Sequence, residues 1–160
     1  MARRNPRQPQ GPENPQGRIA YGALQHAIGY LIHLAELANM QEFSRAFAGT
    51  GVTPARFTAL ELIACNPGIR PSTLASAMAV ERSNLVAIIR FLMAHGWIAA
   101  GAGSNRREKA LALTAAGEAA LTGLRLRLRA HDAALATGCS PQERQRLARL
   151  LARIVGARRR

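Results

Sequence analysis

Apolar residues recur along this chain at spacings of three and four in successive stretches, each bounded by residues that start or stop helices. Over residues 19–48, Tyr21, Leu24, Ile28, Leu31, Ala35 and Ala38 form one seam. The seam predicts a long helix that needs a partner helix. His26, Tyr30, His33 and Leu37 share another face of the same helix. Gly49-Thr50-Gly51 breaks it, and Thr53-Pro54 restarts a helix with a threonine cap and proline in the first turn. Phe57, Leu60, Ile63 and Ala64 are its apolar stripe, and Asn66-Pro67-Gly68 ends it.

The pattern then shortens. Pro71 opens a brief helix with Leu74 and Met78 as an i, i+4 pair, and Ala79 falls where the chain must turn. Leu85, Ile88, Ile89 and Leu92 give a second helix over residues 81–95 one buried side, and Ala75 is small enough to let the two helices approach. Two helices joined this tightly predict a helix-turn-helix. The second would be the reading helix, with Arg82, Ser83 and Asn84 in the N-terminal turn where the helix dipole favours phosphate. Gly96 suits the helix end, and residues 96–100 and 108–113 are short enough for a two-stranded hairpin. The loop between them carries Arg106 and Arg107, which makes it a basic wing.

Beyond the hairpin, Thr114 caps a helix through residue 137, with Leu121, Leu124, Leu128, His131 and Leu135 at heptad spacing. Ser140-Pro141-Gln142-Glu143 has the form of a capping box, and Leu147, Leu150, Leu151, Ile154 and Val155 line one face of the last helix. These helices carry more apolar face than a small winged module covers, which predicts an intertwined homodimer.

The run Pro67-Gly68, Leu74-Ala75, Ser83-Asn84-Leu85, Leu92, His95-Gly96-Trp97-Ile98, Asn105-Arg106-Arg107 and Leu111 to Gly117 resembles the MarR (multiple antibiotic resistance regulator) family of winged helix-turn-helix repressors. The resemblance covers residues 52–121 at motif level and is most specific at the wing arginines followed by Leu-x-Leu-Thr-x-x-Gly. It implies a mainly α fold with a small β wing and a helical dimerisation region, binding a palindromic operator. It further implies release by an aromatic carboxylate or phenol, or an aromatic acyl-CoA thioester. The DNA-contact set expected from it is Arg82, Ser83, Asn84, Ala87 and Arg90 on the reading helix, with Asn105, Arg106, Arg107 and Lys109 on the wing. The family supports its effector pocket with the helix that here carries Arg56, Phe57 and Leu60, and these are pocket candidates beside core and surface roles. His26, Tyr30 and His33 can hydrogen-bond a carboxylate or phenol if they line a cavity, and otherwise belong to a surface or interface. Two positions depart from the family pattern. Asn105 stands where an aspartate usually pairs with a wing arginine, and Val86 and Ala87 stand where relatives often carry polar base readers.

The expected organisation is a basic arm over residues 1–18, a dimerisation helix over 19–48, the winged module over 52–114, dimerisation helices over 115–157 and a basic tail over 158–160. Composition agrees with a polyanionic partner: among 160 residues, 22 Lys+Arg stand against 9 Asp+Glu, a net charge of +13. Much of that excess lies in the arm and tail, so a non-specific architectural DNA-binding protein is the alternative reading. No long apolar run spans a bilayer, and Met1-Ala2-Arg3-Arg4 leads into Pro and Gln rather than a signal segment, which predicts a cytoplasmic protein. Cys65 and Cys139 have no ligand-spaced partners and are expected to be buried apolar residues, with a thiol-based oxidant-sensing repressor as a further alternative. With no phosphate loop, nucleophilic set or paired carboxylates, neither an enzyme nor a bound cofactor or metal is expected.

Overall fold

The computed structural model describes residues 19–102 and 109–157. The arm over residues 1–18, the wing-loop residues Asn105, Arg106 and Arg107, and the tail over 158–160 lie outside the described residues. The chain divides into two units with the boundary after Gln41.

In the first unit the single helix expected over residues 19–48 is interrupted. A 3₁₀ turn spans Gly22–His26, Ala27 adopts an extended conformation, and helix α1 begins after it at Ile28–Ala46. Gly22 has a positive φ of 52° and Ala27 a ψ of 110°, so the periodic apolar seam crosses a backbone break that periodicity alone does not reveal. None of the described residues of this unit is buried, and Ile19, Leu24, Ile28, Leu31, Ile32, Leu37 and Met40 all expose large apolar side chains.

The second unit holds the core. It takes in the end of α1, then α2 (Pro54–Cys65), α3 (Pro71–Met78), α4 (Arg82–Ala94), strands β1 (Ile98–Ala102) and β2 (Lys109–Leu113), α5 (Ala115–Leu135) and α6 (Pro141–Ala157). Thr53 Oγ1 accepts the Arg56 N–H at 3.3 Å and Pro54 occupies the first turn, so α2 starts where its local signal says. Leu60, Ile63, Leu74, Leu85, Leu92, Leu111 and Leu121 are the most buried large side chains, and they come from every element between α2 and α5 except β1. Strand β1 adds the buried Ile98. The strands pair antiparallel from Ile98↔Leu113 to Ala102↔Lys109. On its other edge β2 binds the turn before α3, with Gly68 N–H donating to Leu111 O at 2.9 Å and Leu111 N–H to Ile69 O at 3.0 Å. The wing root is therefore fixed from both sides.

The helix-turn-helix closes on Ala79, which sits in the left-handed region at φ 52°, ψ 41°. That conformation costs a non-glycine residue about 1 kcal/mol. It lets Ala79 N–H reach Ser76 O and Val80 N–H reach Ala75 O, each at 3.2 Å. Helix α4 ends in a Schellman turn: Gly96, at φ 67°, donates to Met93 O at 2.9 Å, and Trp97 N–H donates to Leu92 O at 3.0 Å.

Helix α5 lies in the expected dimerisation region, and part of its heptad seam is used within this chain: Leu121 and Leu124 are buried in the chain's own core, with Leu128 packed beside them. Of the seam leucines, Leu135 at the far end is exposed, and Leu126, off the seam, is exposed too. The helix is tied to its neighbours by polar contacts as well. Arg125 grips Glu61 of α2 through two hydrogen bonds of 3.0 and 2.7 Å, and Arg127 donates to Ala46 O at 2.8 Å. The Glu61 carboxylate holds the Arg125 guanidinium above its usual pKa, chiefly through that hydrogen bond. Buried His131 meets Phe43 edge-on, with ring centres 5.8 Å apart, and its Nδ1 lies 3.0 Å from Asp132 Oδ1.

The cysteines also differ from expectation. Cys65 is exposed and Cys139 half-buried. Cys65 follows Glu61 by one helical turn on the polar side of α2, away from the stripe of Phe57, Leu60 and Ile63, and its Sγ lies 3.9 Å from Glu61 Oε1.

Candidate nucleic-acid interface

Helix α4 has two unlike sides. Leu85, Ile88 and Leu92 are buried against the module, and the residues half a turn away, Ser83, Ala87 and Arg90, are exposed at i, i+4, i+7. Arg82 and Asn84 flank this outward row at its N-terminal end and are exposed too. Glu81 precedes the helix without making a side-chain cap. The first-turn amides therefore keep their positive end available, with Arg82 beside it, an arrangement suited to a phosphate oxygen.

Beside the outward row, α3, α4 and the wing enclose a cleft of about 660 Å³. Arg82 and Arg90 stand on its α4 wall, Ser72 and Ser76 on its α3 wall, and Val86 and Met93 give it an apolar side. Val86 is 43% exposed, so the reading face is partly apolar in fact as well as in sequence. The expected set on α4 is thus brought onto one accessible surface. Of the wing set, Lys109 pairs with Ala102 through the strand backbone, and the rest lies outside the described residues.

The wing springs from a junction whose motif has a physical reason. Thr114 Oγ1 accepts the Gly117 N–H at 3.0 Å, donates to Gly96 O at 2.5 Å, and so caps α5 while binding the end of α4. Thr114 N–H donates to Trp97 O at 3.1 Å. A Cβ on Gly117 would sit 1.9 Å from that same Trp97 carbonyl oxygen, so only glycine fits. The Leu-Thr-x-x-Gly pattern is a lock between wing and α5.

The effector candidates are distributed differently. In the first unit His26 and His33 are exposed, and half-buried Tyr30 faces Tyr21 with ring centres 6.2 Å apart. In the second, Leu60 has no exposed surface, and Phe57 is buried with its ring edge toward Phe47 at 5.7 Å. Arg56 is engaged within the protein: its Nη1 donates to Gly51 O at 2.5 Å and its guanidinium lies 3.7 Å from the centre of the Phe91 ring. Any anion that recruits Arg56 must displace those contacts. The rings of Phe91, His95 and Trp97 cluster at the end of α4, a grouping that the sequence shows only as His95 and Trp97 in the family motif. Phe91 and His95 do stand one helical turn apart, but no spacing rule connects them to Arg56. Among the described residues, no group of three or more His, Cys, Asp or Glu side chains is placed to hold a metal ion. No helix there is long and apolar enough to cross a membrane.

A family model described as MarR family matches residues 52–109. A Thauera aromatica protein whose name assigns it to transcriptional regulation of the hcr operon is 31% identical over 138 residues, covering 85% of this chain and 83% of that protein. Among solved structures, the transcriptional repressor CouR bound to a 23-mer DNA duplex superposes with a TM-score of 0.79 at 29% identity, covering 86% of this chain and 98% of the other. A MarR family protein of Mycobacterium tuberculosis in complex with salicylic acid gives a TM-score of 0.66 at 26% identity, over 80% of this chain and 96% of that one.

Proposed function

The chain belongs to the MarR family of transcriptional regulators, and from that premise we propose that it is a homodimeric repressor released from a palindromic operator by a small aromatic acid or its CoA thioester. The observation that carries this reading is the outward row Ser83, Ala87 and Arg90, flanked by Arg82 and Asn84, on a helix whose opposite side is locked into the core. Such a helix enters the major groove with its position already set. Arg82 and Arg90 meet phosphate or guanine, and Ser83 and Asn84 supply the remaining hydrogen bonds to base edges. Arg106 and Arg107, carried by the wing, reach the adjacent minor groove. Specificity then comes in part from groove width and deformability rather than from a dense set of base contacts. The exposed apolar faces of the first unit and of α6 support a dimer, and a two-fold dimer sets its reading helices about one DNA turn, ~34 Å, apart.

The DNA-bound relative and the salicylate-bound relative support a regulator that takes both DNA and a small aromatic acid as ligands. Within the first unit, His26, Tyr30 and His33 carry imidazole and phenol groups that suit a carboxylate or phenol; separately, within the second unit, Arg56 carries a cation beside Phe57 and Leu60. Release requires only that the effector bind better to the arrangement that fits DNA worse. Salicylate and an aromatic acyl-CoA, added separately in a thermal-shift titration, distinguish the two effector classes, since a ligand stabilises the state it binds.

One observation favours a second reading, a non-specific architectural DNA-binding protein: Val86 and Ala87 leave the reading face chemically thin while the chain carries a net charge of +13. Footprinting on the DNA upstream of its own gene separates the two. A protected palindrome is the expected result. Uniform weak protection with a steep salt dependence would overturn the repressor reading.

A further inference from the structure

Arg56 stands where three parts of the module meet. Its backbone N–H is taken by the Thr53 cap of α2, its Nη1 binds the Gly51 carbonyl, and its guanidinium covers the Phe91 ring at 3.7 Å. Gly51 presents that carbonyl from a left-handed conformation, φ 66°. Phe91 belongs to α4, and its ring is followed by those of His95 at 4.0 Å and Trp97 at 6.1 Å, with His95 and Trp97 4.9 Å apart. His95 Nδ1 lies 2.8 Å from Phe91 O, which holds the middle ring in place. Trp97 immediately precedes β1, and its carbonyl oxygen is the one that receives Thr114 N–H and excludes a side chain at Gly117. A continuous set of contacts therefore runs from the loop before α2, through one guanidinium, to the end of the reading helix, the root of the wing and the start of α5.

We propose that Arg56 is a positioning residue for DNA binding: stacked on Phe91 and hydrogen-bonded to Gly51, it sets the orientation of the reading helix and wing without touching DNA. The inference rests on the DNA-binding reading above. A planar guanidinium can stack on a ring and donate in its own plane at the same time, which a lysine ammonium cannot. The contact falls in the last turn of α4, where a small rotation is carried along the helix to Arg82, Ser83 and Asn84 at its other end. It also falls one step from the wing, so both DNA-contacting parts move with it.

Trp97 is the chain's single tryptophan, so its fluorescence reports the ring cluster directly. The test uses full-length protein carrying Arg56→Ala, Arg56→Lys, Phe91→Leu or Arg56→Ala with Phe91→Leu, titrated with the footprinted duplex at several salt concentrations. Arg56→Ala and Phe91→Leu should each weaken binding about 5- to 20-fold, and the double variant should lose little more than either alone. The slope of log affinity against log salt should not change, because no phosphate contact is lost. Trp97 emission and its quenching by acrylamide should change in each variant before DNA is added. Arg56→Lys should behave more like Arg56→Ala than like the parent. If Arg56→Ala does not fold, Arg56→Lys and Phe91→Leu carry the same comparison. A shallower salt slope would make Arg56 a phosphate ligand and overturn the proposal, and so would unchanged affinity or additive losses in the double variant. Failure of the unaltered protein to bind any duplex would instead overturn the DNA-binding reading.

Discussion

The winged module and helix α6 are built from the same kind of amphipathic pattern and solve it in opposite ways. In the module, each apolar stripe meets another from the same chain: Leu60 and Ile63 of α2, Leu74 of α3, Leu85 and Leu92 of α4, Leu111 of β2 and Leu121 of α5 are all at most 2% exposed. In α6, Leu147, Leu150, Leu151, Ile154 and Val155 form an equally regular stripe, yet each is between 41% and 56% exposed. The difference teaches that periodicity specifies that a face will be buried and is silent about which chain buries it. One region covers its own apolar faces, and the other leaves its stripe uncovered by this chain.

The sharpest way to break the self-sufficient half is at its tightest joint. Gly117→Ala would drive a methyl group to within 1.9 Å of the Trp97 carbonyl oxygen, and both atoms belong to backbone that is hydrogen-bonded in place. Overpacking of this kind costs about 3 kcal/mol or more. Urea unfolding should show that loss in full while dimerisation measured on the residual folded protein is little changed. Stability within about 0.5 kcal/mol of the parent would mean that the wing and α5 are not locked as described.

The complementary break is in α6. Leu151→Glu or Ile154→Glu places a charge on a face that the chain itself does not cover, so the module should fold as before. Removing one such side chain from an apolar interface costs about 2 kcal/mol, and burying a carboxylate there adds to it, so the dimer dissociation constant should rise about 30-fold or more. Sedimentation velocity over a dilution series measures this. An unchanged dimer would show that another face, such as that of Ile28, Leu31 and Ile32, carries the association alone.

How far these two halves could be told apart in advance depends on the range of the signal. Signals within one turn were legible: Thr53 with Pro54, Pro71, Gly96, Thr114 with Gly117, and Ser140 with Glu143 all do what their spacing says, because caps and turns are local geometry. The helix-turn-helix and the wing strands followed from them. Legibility failed where the deciding partner is distant in sequence. Heptad spacing at Leu121 and Leu124 does not say whether the facing side chains belong to this chain or to a partner, and both are buried in this chain's own core. Cys65 was expected inside on residue type, whereas its angular position beside Glu61 puts it outside. At the candidate site, the outward row of α4 was readable because helix geometry alone opposes it to Leu85, Ile88 and Leu92. The engagement of Arg56 by Phe91 was not, since a cation over a ring 35 residues away leaves no periodic trace. In the first unit, a positive φ at Gly22 and an extended Ala27 interrupted a seam that looked continuous.

Two caps sharpen the comparison with smaller effects. Thr114 caps α5 inside the module and also donates to Gly96 O, so Thr114→Ala removes two hydrogen bonds at a partly buried site. It should cost about 1–2 kcal/mol in urea unfolding, with no effect on the dimer constant. A loss below about 0.3 kcal/mol would mean that Trp97 O and Gly117 hold the joint without it.

The last and smallest effect is the pH dependence of the α6 cap. Glu143 accepts hydrogen bonds from Ser140 N–H and Ser140 Oγ, both at 2.8 Å, and those contacts, the backbone one first, hold its carboxyl below the usual carboxylate range. A lowered folded-state pKa means that the cap contributes fully above the ordinary glutamate value, about 4.3, and is lost as pH falls through the lowered value. Because none of the described side chains of α6 is buried, the first turn should fray there while the module, capped by an un-ionised threonine, keeps its start. Amide exchange or NMR shifts of residues 140–144 between pH 5 and pH 3 should therefore move, and those of residues 114–118 should move less. Glu143→Gln, which keeps an acceptor but not the charge, should flatten the first response and leave the second alone. Equal responses at both caps would mean that α6 is supported by its own chain as firmly as α5, and the contrast between the two regions would fall.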